Sequence, residues 1–228
     1  MAERFSLTGD LERDRAAIVA LDRCIAAGGV AVIPTDTVYG LACHPELRAG
    51  VARLYEVKER PPDKPSALIF FSLESAIQRL GFLPPPFQAA VQRLLPGPLT
   101  LLLPNPSRRW RLACEPQQAL AGEPPAGEPP ALGVRVPRLE GRLAALAQIK
   151  GPLLQSSANR SGGSDAPSLA EMEPEVVERA DLVLDGGAVG GQASTVVDLR
   201  CFVQGEVKVL REGPVPAAAV EAALADLC

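Results

Sequence analysis

With 228 residues, 47% of them hydrophobic, the chain can bury one sizeable core, and no apolar run reaches the roughly 20 residues that a membrane helix needs. Its 23 Lys and Arg against 27 Asp and Glu give a formal net charge of −4, which argues against a broad basic face for gripping nucleic acid and leaves room only for a local basic pocket. The five cysteines, Cys24, Cys43, Cys114, Cys201 and Cys228, are odd in number and form no CxxC pair, so they read as reduced packing thiols rather than a disulfide framework or a zinc site.

The opening "MAERFSLTGDLERDR" has no apolar h-region of a secretory signal, so cytoplasmic residence is expected. Asp10 is placed to cap a helix over "LERDRAAIVALDRCIAAGG", in which Leu11, Ile18, Leu21 and Ile25 recur near the helical period and Gly28-Gly29 can end it. "VAVIP" reads as a strand that delivers "TDTVYG" at its carboxyl end. "LRAGVARLYEV" reads as a second helix, with Val51, Leu54 and Tyr55 inward, that empties into "KERPPDKP"; "SALIFF" follows as a buried strand. "LESAIQRLG" and "PFQAAVQRLLPG" have helical spacing and "LTLLLP" is strand-like, with Pro96, Pro98 and Pro104 marking the boundaries.

The acidic, proline-rich and repetitive "EPQQALAGEPPAGEPP", about residues 115–130, has little to bury and reads as a mobile surface insertion. Regular patterns resume at "LGVRVP", a strand, and "RLAALAQI", a helix. They continue through strand "GPLLQ", loop "SSANRSGGSDAP", helix "SLAEMEPEVVERA" and strands "DLVLDGG", "STVVDL" and "EVKVLREG" to a helix over about residues 215–227. Helices and strands intermingled in this way predict an α/β fold over residues 1–228, one domain with a mixed sheet flanked by helices.

Four polar clusters, "TDTVYG", "SSANRSGG", "DGGAVGGQAST" and "REG", directly follow strand-like runs, and such loops commonly converge on a ligand cleft. Thr35, Asp36, Thr37, Ser156, Ser157 and Asn159 read equally well as turn residues, and Ser168 with Glu171 fits a helix-capping box. Arg135 is a charge inside an apolar strand, which calls for a partner or a wet cavity. Lys58, Arg60 and Lys64 lie on a loop stiffened by Pro61, Pro62 and Pro65, so less entropy is lost when they hold a ligand. A guanidinium fork beside a compact ammonium suits a nucleoside triphosphate, yet no GxxxxGK[ST] loop is present. His44, the one histidine, has no nucleophile beside it and reads as a surface residue, and no metal-ligand motif stands out.

The ordered set "IPTDTVYGLA", "KERPPDKP", "PGPLTLLL", "GVRVP", "SSANRSG", "STVVDL" and "LREG", over about residues 15–213, resembles the YrdC/Sua5 family of threonylcarbamoyl-AMP synthases in its short form. The resemblance implies a twisted sheet with a large, positively lined concavity. It implies a reaction of L-threonine, bicarbonate or CO2, and ATP with Mg2+, giving threonylcarbamoyl-AMP and pyrophosphate for tRNA t6A37 modification. By the family pattern Thr35, Arg135, Ser157 and Ser194 would contact threonine; Arg60, Lys64, Asn159, Ser168 and Arg211 would contact ATP; Lys58 and Arg60 would complete a catalytic basic wall. A downstream threonylcarbamoyl-transferase is the implied partner, with weak tRNA contact possible in principle and no membrane.

Two departures stand out. "SALIFF" lacks a histidine that many relatives carry after the KxR loop, and "SGGSDAP" is a residue longer than usual. The competing readings are an RNA-binding module of the same fold and a carbamoyl-transfer domain related to hydrogenase-maturation proteins.

Overall fold

The computed structural model describes residues 2–127, 129–159, 163 and 165–227. Among them ten strands form one mixed sheet: β1 (Glu3–Ser6), β2 (Ala31–Ile33), β3 (Gly40–Cys43), β4 (Ala67–Ile69), β5 (Leu99–Pro104), β6 (Ala131–Arg135), β7 (Leu153–Ser157), β8 (Leu182–Asp185), β9 (Thr195–Asp198) and β10 (Lys208–Arg211). Their spatial order is β1-β8-β2-β3-β7-β4-β6-β5-β9-β10. No helix of the described residues is long and apolar enough to cross a membrane.

The two faces of the sheet are covered unequally, and this asymmetry creates the site. One face carries Val32, Leu41, Leu68, Leu101, Leu103, Leu132, Val134, Leu154 and Val197. Against it pack helices α2 (Arg48–Val57), α3 (Leu73–Arg79), α4 (Pro85–Leu94), α5 (Arg111–Cys114), α7 (Pro174–Arg179) and α8 (Ala217–Leu224). The other face is closed over its β1-β8-β2-β3 half and the adjoining ends of β7 and β4, where Ile18, Leu21 and Ile25 of α1 (Arg15–Ala26) and Leu143 and Leu146 of a 3-10 segment share a core with Ile33, Ala42, Ile69, Leu153 and Leu184. Side chains alternate across a strand. The inward residues of β5 and β6 enter the helix-covered core, while Thr100, Leu102, Ala131, Gly133 and Arg135 stand on the uncovered half.

Most expected elements form, and the differences have local causes. Helix α1 begins at Arg15 rather than after Asp10. Buried Asp14 accepts hydrogen bonds from Thr8 N, Thr8 Oγ1 and Gly9 N, which turns the chain before the helix starts, and Asp10 caps only the turn at Glu12 and Arg13. "GLAC" is strand β3, returning antiparallel to β2, and the polar "ERFS" is edge strand β1, which pairs with β8. Neither short strand has a periodicity of its own. The 115–130 segment is not wholly an exposed insertion: residues 116–121 form α6 (Pro116–Ala121), with Pro116 and Ala119 buried. "SLAEMEPEVVERA" breaks at Pro174 into a 3-10 turn and α7, and "RLAALAQI" is 3-10 rather than α-helical. The β8 strand lies far from β9 in the sheet, so the end of the chain contains one hairpin, β9–β10.

Candidate functional site

The uncovered half-face is the floor of a cavity of about 520 Å³, in the size range of small-molecule sites. A row of small residues makes the depression: Ala67 on β4 neighbours Gly133 on β6, and a Cβ on Gly133 would lie 3.2 Å from Ala67. The rim carries Arg60, Arg135, Arg200 and Arg211, and no Asp or Glu lines the cavity among the described residues. A chain with net charge −4 thus concentrates four guanidinium groups at one place. Ser194 precedes β9 and Arg135 sits on the sheet face, so the pocket is built on that face as well as on loops at strand ends.

Arg135 is 4% exposed. Its Nη2 donates to Thr37 Oγ1 at 2.7 Å and pairs with Asp36 Oδ1 at 3.3 Å, while Nη1 approaches Gln155 Oε1 at 3.4 Å. Among the described residues Nε has no partner, leaving a buried N–H donor unsatisfied beside the cavity. Burial lowers the Arg135 pKa, with Asp36 opposing that shift, and burial raises the pKa of Asp36 against the backbone N–H of Arg138 and the Arg135 charge. Burial thus disfavours both charges, and each partner's charge opposes that effect on the other.

Within "KERPPDKP" the three cations have three different fates. Lys58, 2% exposed, ends α2, and its Nζ faces Ser157 O at 2.5 Å, Asn159 O at 2.6 Å, Asn159 Oδ1 at 2.8 Å and Ser157 Oγ at 3.2 Å. Burial, and then the Arg60 charge, push its pKa down to about 8, so it remains an ammonium at neutral pH. Lys58 is accordingly not part of an exposed basic wall: it is the buried pin that fixes the "SSAN" turn. Glu59 leaves the helix with φ 50°, and Arg60 folds back to donate to Pro65 O at 2.9 Å, while Tyr55 Oη donates to Lys64 O at 2.7 Å. The loop is thereby wrapped around Arg60, which lines the cavity, whereas the Lys64 side chain is exposed and does not. Arg60→Ala is expected to cost no more than about 1 kcal/mol of stability in urea unfolding, because a partly exposed cation contributes little to the fold.

The other expected site residues divide between cavity and scaffold. Ser157 and Ser194 line the cavity; Ser194 Oγ lies 2.7 Å from Thr100 Oγ1, and Arg211 donates to Ser194 O. Thr35 is fully buried, its hydroxyl donating to Val38 O and accepting from the N–H groups of Thr37 and Val38, so its contacts fall within its own turn. Asn159 is buried between Lys58 and Gly163 O rather than on the cavity wall. Ser168 donates to Glu171 Oε1 at 2.8 Å and does not line the cavity. His44, half-buried after β3, accepts from Glu46 N at Nδ1 and lies outside the cavity lining. Arg160, Ser161, Gly162 and Ser164 of the "SSANRSGGSDAP" loop fall outside the described residues.

A family model for the Sua5/YciO/YrdC domain, described as "Telomere recombination", matches residues 23–213. The chain belongs to this family. It is 33% identical over 175 residues to a threonylcarbamoyl-AMP synthase of Xanthomonas oryzae pv. oryzae, covering 74% of this chain and 87% of that one. With the Homo sapiens threonylcarbamoyl-AMP synthase it shares 32% identity over 213 residues, covering 90% of this chain and 68% of that one. The structure superposes on P. abyssi Sua5 complexed with L-threonine with a TM-score of 0.70 and 26% identity, over 98% of this chain and 60% of the Sua5 chain.

The Sua5/YciO/YrdC resemblance identified the loops but not all of the groups that face the cavity. Gln155, Thr100 and Arg200 line it without having been singled out, and Asp36 and Thr37 hold Arg135 from behind. Gln155 in "GPLLQ" and Thr100 in "LTLLLP" carry the signal that marked Arg135, a polar residue in an apolar strand. Arg200 carries no such signal, since it follows β9 in a loop where a charged residue is ordinary.

Proposed function

We propose that this chain is an L-threonylcarbamoyladenylate synthase, acting in the cytoplasm on L-threonine, bicarbonate or CO2, and ATP for tRNA t6A37 modification. The observation that carries the reading is the buried, incompletely satisfied Arg135 in a cavity lined by four arginines and no carboxylate, in a chain similar to a Sua5 structure that holds L-threonine. Arg135, Ser157 and Ser194 would face the amino acid, with Arg60 and Arg211 on the phosphates. Thr35, Lys58 and Asn159 would act one step back, by shaping the two turns; Lys64 and Ser168 would reach ATP only from outside the present lining.

The amine of threonine adds to CO2, or to bicarbonate with loss of water, to give a carbamate. A carbamate oxygen then forms a bond to the α-phosphorus of ATP while the bond from that phosphorus to the bridging oxygen breaks, and pyrophosphate leaves with the electron pair. Such a transfer depends mainly on alignment and charge neutralisation, which guanidinium and hydroxyl groups supply without a nucleophilic side chain. Mg2+ would accompany the triphosphate; the lining offers it no carboxylate, which suits an ion held by phosphate oxygens and water. The activated product would pass to a threonylcarbamoyl-transferase. A pocket of this size matches a small-molecule site better than a surface for folded RNA.

The protein mixed with ATP, Mg2+, bicarbonate and L-threonine is expected to release pyrophosphate in proportion to threonine, with L-serine much less effective. Release independent of threonine overturns the reading.

A further inference from the structure

We infer that the cleft around Arg109 is a second ligand site, separate from the cavity, that takes a small zwitterion of the free α-amino-acid class. The ligand's carboxylate would lie on Arg109 and Arg79, and its ammonium toward Asp22 and Glu46. This goes beyond the synthase reading and does not depend on it.

The cleft, about 270 Å³, lies between α1, the turn after β3, the end of α3 and the loop that follows β5, and it shares no lining residue with the cavity. It is built around one guanidinium. Buried Asn105 holds both backbone groups of Arg109, its Nδ2 donating to Arg109 O at 2.8 Å and its Oδ1 accepting from Arg109 N at 3.0 Å. On either side, Arg108 and Trp110 have φ of 48° and 50°, a left-handed conformation that bulky residues adopt only where the surroundings impose it. The Arg109 guanidinium then lies 4.8 Å from the Trp110 ring centre and 5.1 Å from that of Phe82. These rings engage the cation without using its N–H donors, which have no polar partner among the described residues. Those donors form the fork that matches a carboxylate.

Arg79, the last residue of α3, also lines the cleft without a hydrogen bond or ion pair among the described residues. Asp22 and Glu46 line it too, and neither carboxylate pairs with a cation there. Charges of both signs therefore share one small cleft without forming an ion pair. A polyanion would be opposed by the two carboxylates, whereas a zwitterion offers the complementary sign to each pair. His44 adds to the anion side: its Nδ1 accepts from Glu46 N at 3.2 Å, which leaves Nε2 as the donor of the neutral ring.

Trp110 is the chain's single tryptophan and lines this cleft but not the cavity, so its fluorescence is the readout. Each standard L-amino acid is titrated into the protein, alongside acetate, ethylamine and inorganic phosphate. At least one amino acid is expected to give a saturable change, with a Kd about tenfold or more below those of the three single-sign probes. Arg109→Gln and Asp22→Asn are each expected to raise that Kd about tenfold, as loss of one charge-assisted contact implies, while Arg60→Ala in the cavity leaves it within about twofold. Asp22 is exposed, so its variant keeps the test open if Arg109→Gln disturbs the loop. No saturable change with any amino acid, phosphate as the tightest ligand, or a Kd that moves in Arg60→Ala but in neither cleft variant overturns the inference. The titration involves no turnover, so its failure is distinct from a failure of threonine-dependent pyrophosphate release.

Discussion

Replacing Arg135 with methionine is expected to reduce threonine-dependent pyrophosphate release by about a thousandfold or more and to lower stability by about 3–5 kcal/mol, the scale seen when one partner of a buried ion pair is removed. The reason lies in its three neighbours. Burial raises the pKa of Asp36 while the Arg138 backbone N–H and the Arg135 charge oppose that shift, and without the guanidinium this half-buried carboxyl loses its ion-pair partner. Thr37 and Gln155 lose a donor at the same time. A double replacement, Asp36→Asn with Arg135→Met, separates the two effects: removing the stranded charge should recover part of the stability but none of the activity. Full activity in Arg135→Met, or full stability with Asp36 intact, would contradict the ion-pair account.

The second large effect is expected at Lys58. Lys58→Met keeps the length of the side chain and removes the donors that face two carbonyls and two side-chain oxygens of Ser157 and Asn159. Leaving buried acceptors unsatisfied costs about 1–3 kcal/mol each in the least relaxed cases, and a loss of roughly 3 kcal/mol in urea unfolding is expected, with activity falling because the "SSAN" turn moves. The contrast with Arg60→Ala is the decisive reading. Two cations two residues apart should report differently, one chiefly in stability and the other chiefly in KM for ATP. Unchanged stability in Lys58→Met, with only the KM for ATP raised, would return Lys58 to the phosphate wall.

The elements whose information is local were legible. "LTLLLP" reads as a strand because it is a short apolar run bounded by prolines, and α2 forms because Val51, Leu54 and Tyr55 share one face. Arg135 announced itself by its chemistry, since a cation in an apolar strand must find a partner. Less could be read for "ERFS" and "GLAC", because a four-residue strand is made by its neighbours rather than by its own pattern.

The amino-acid sequence by itself determined the α/β class, most of the helices and strands, and the loops that meet at the cavity. Only the tertiary structure decided which side chains reach a ligand. Lys58 and Asn159 lie 101 positions apart, and Arg135 and Thr37 lie 98 apart, so their pairing is set by strand order and by the half-face that α1 leaves uncovered. Periodicity along a chain records which face a residue takes. Whether that face meets a helix, a buried acceptor or an open cavity depends on long-range packing, and this is why a loop with three similar cations holds one pinned inside, one on the cavity wall and one in solvent.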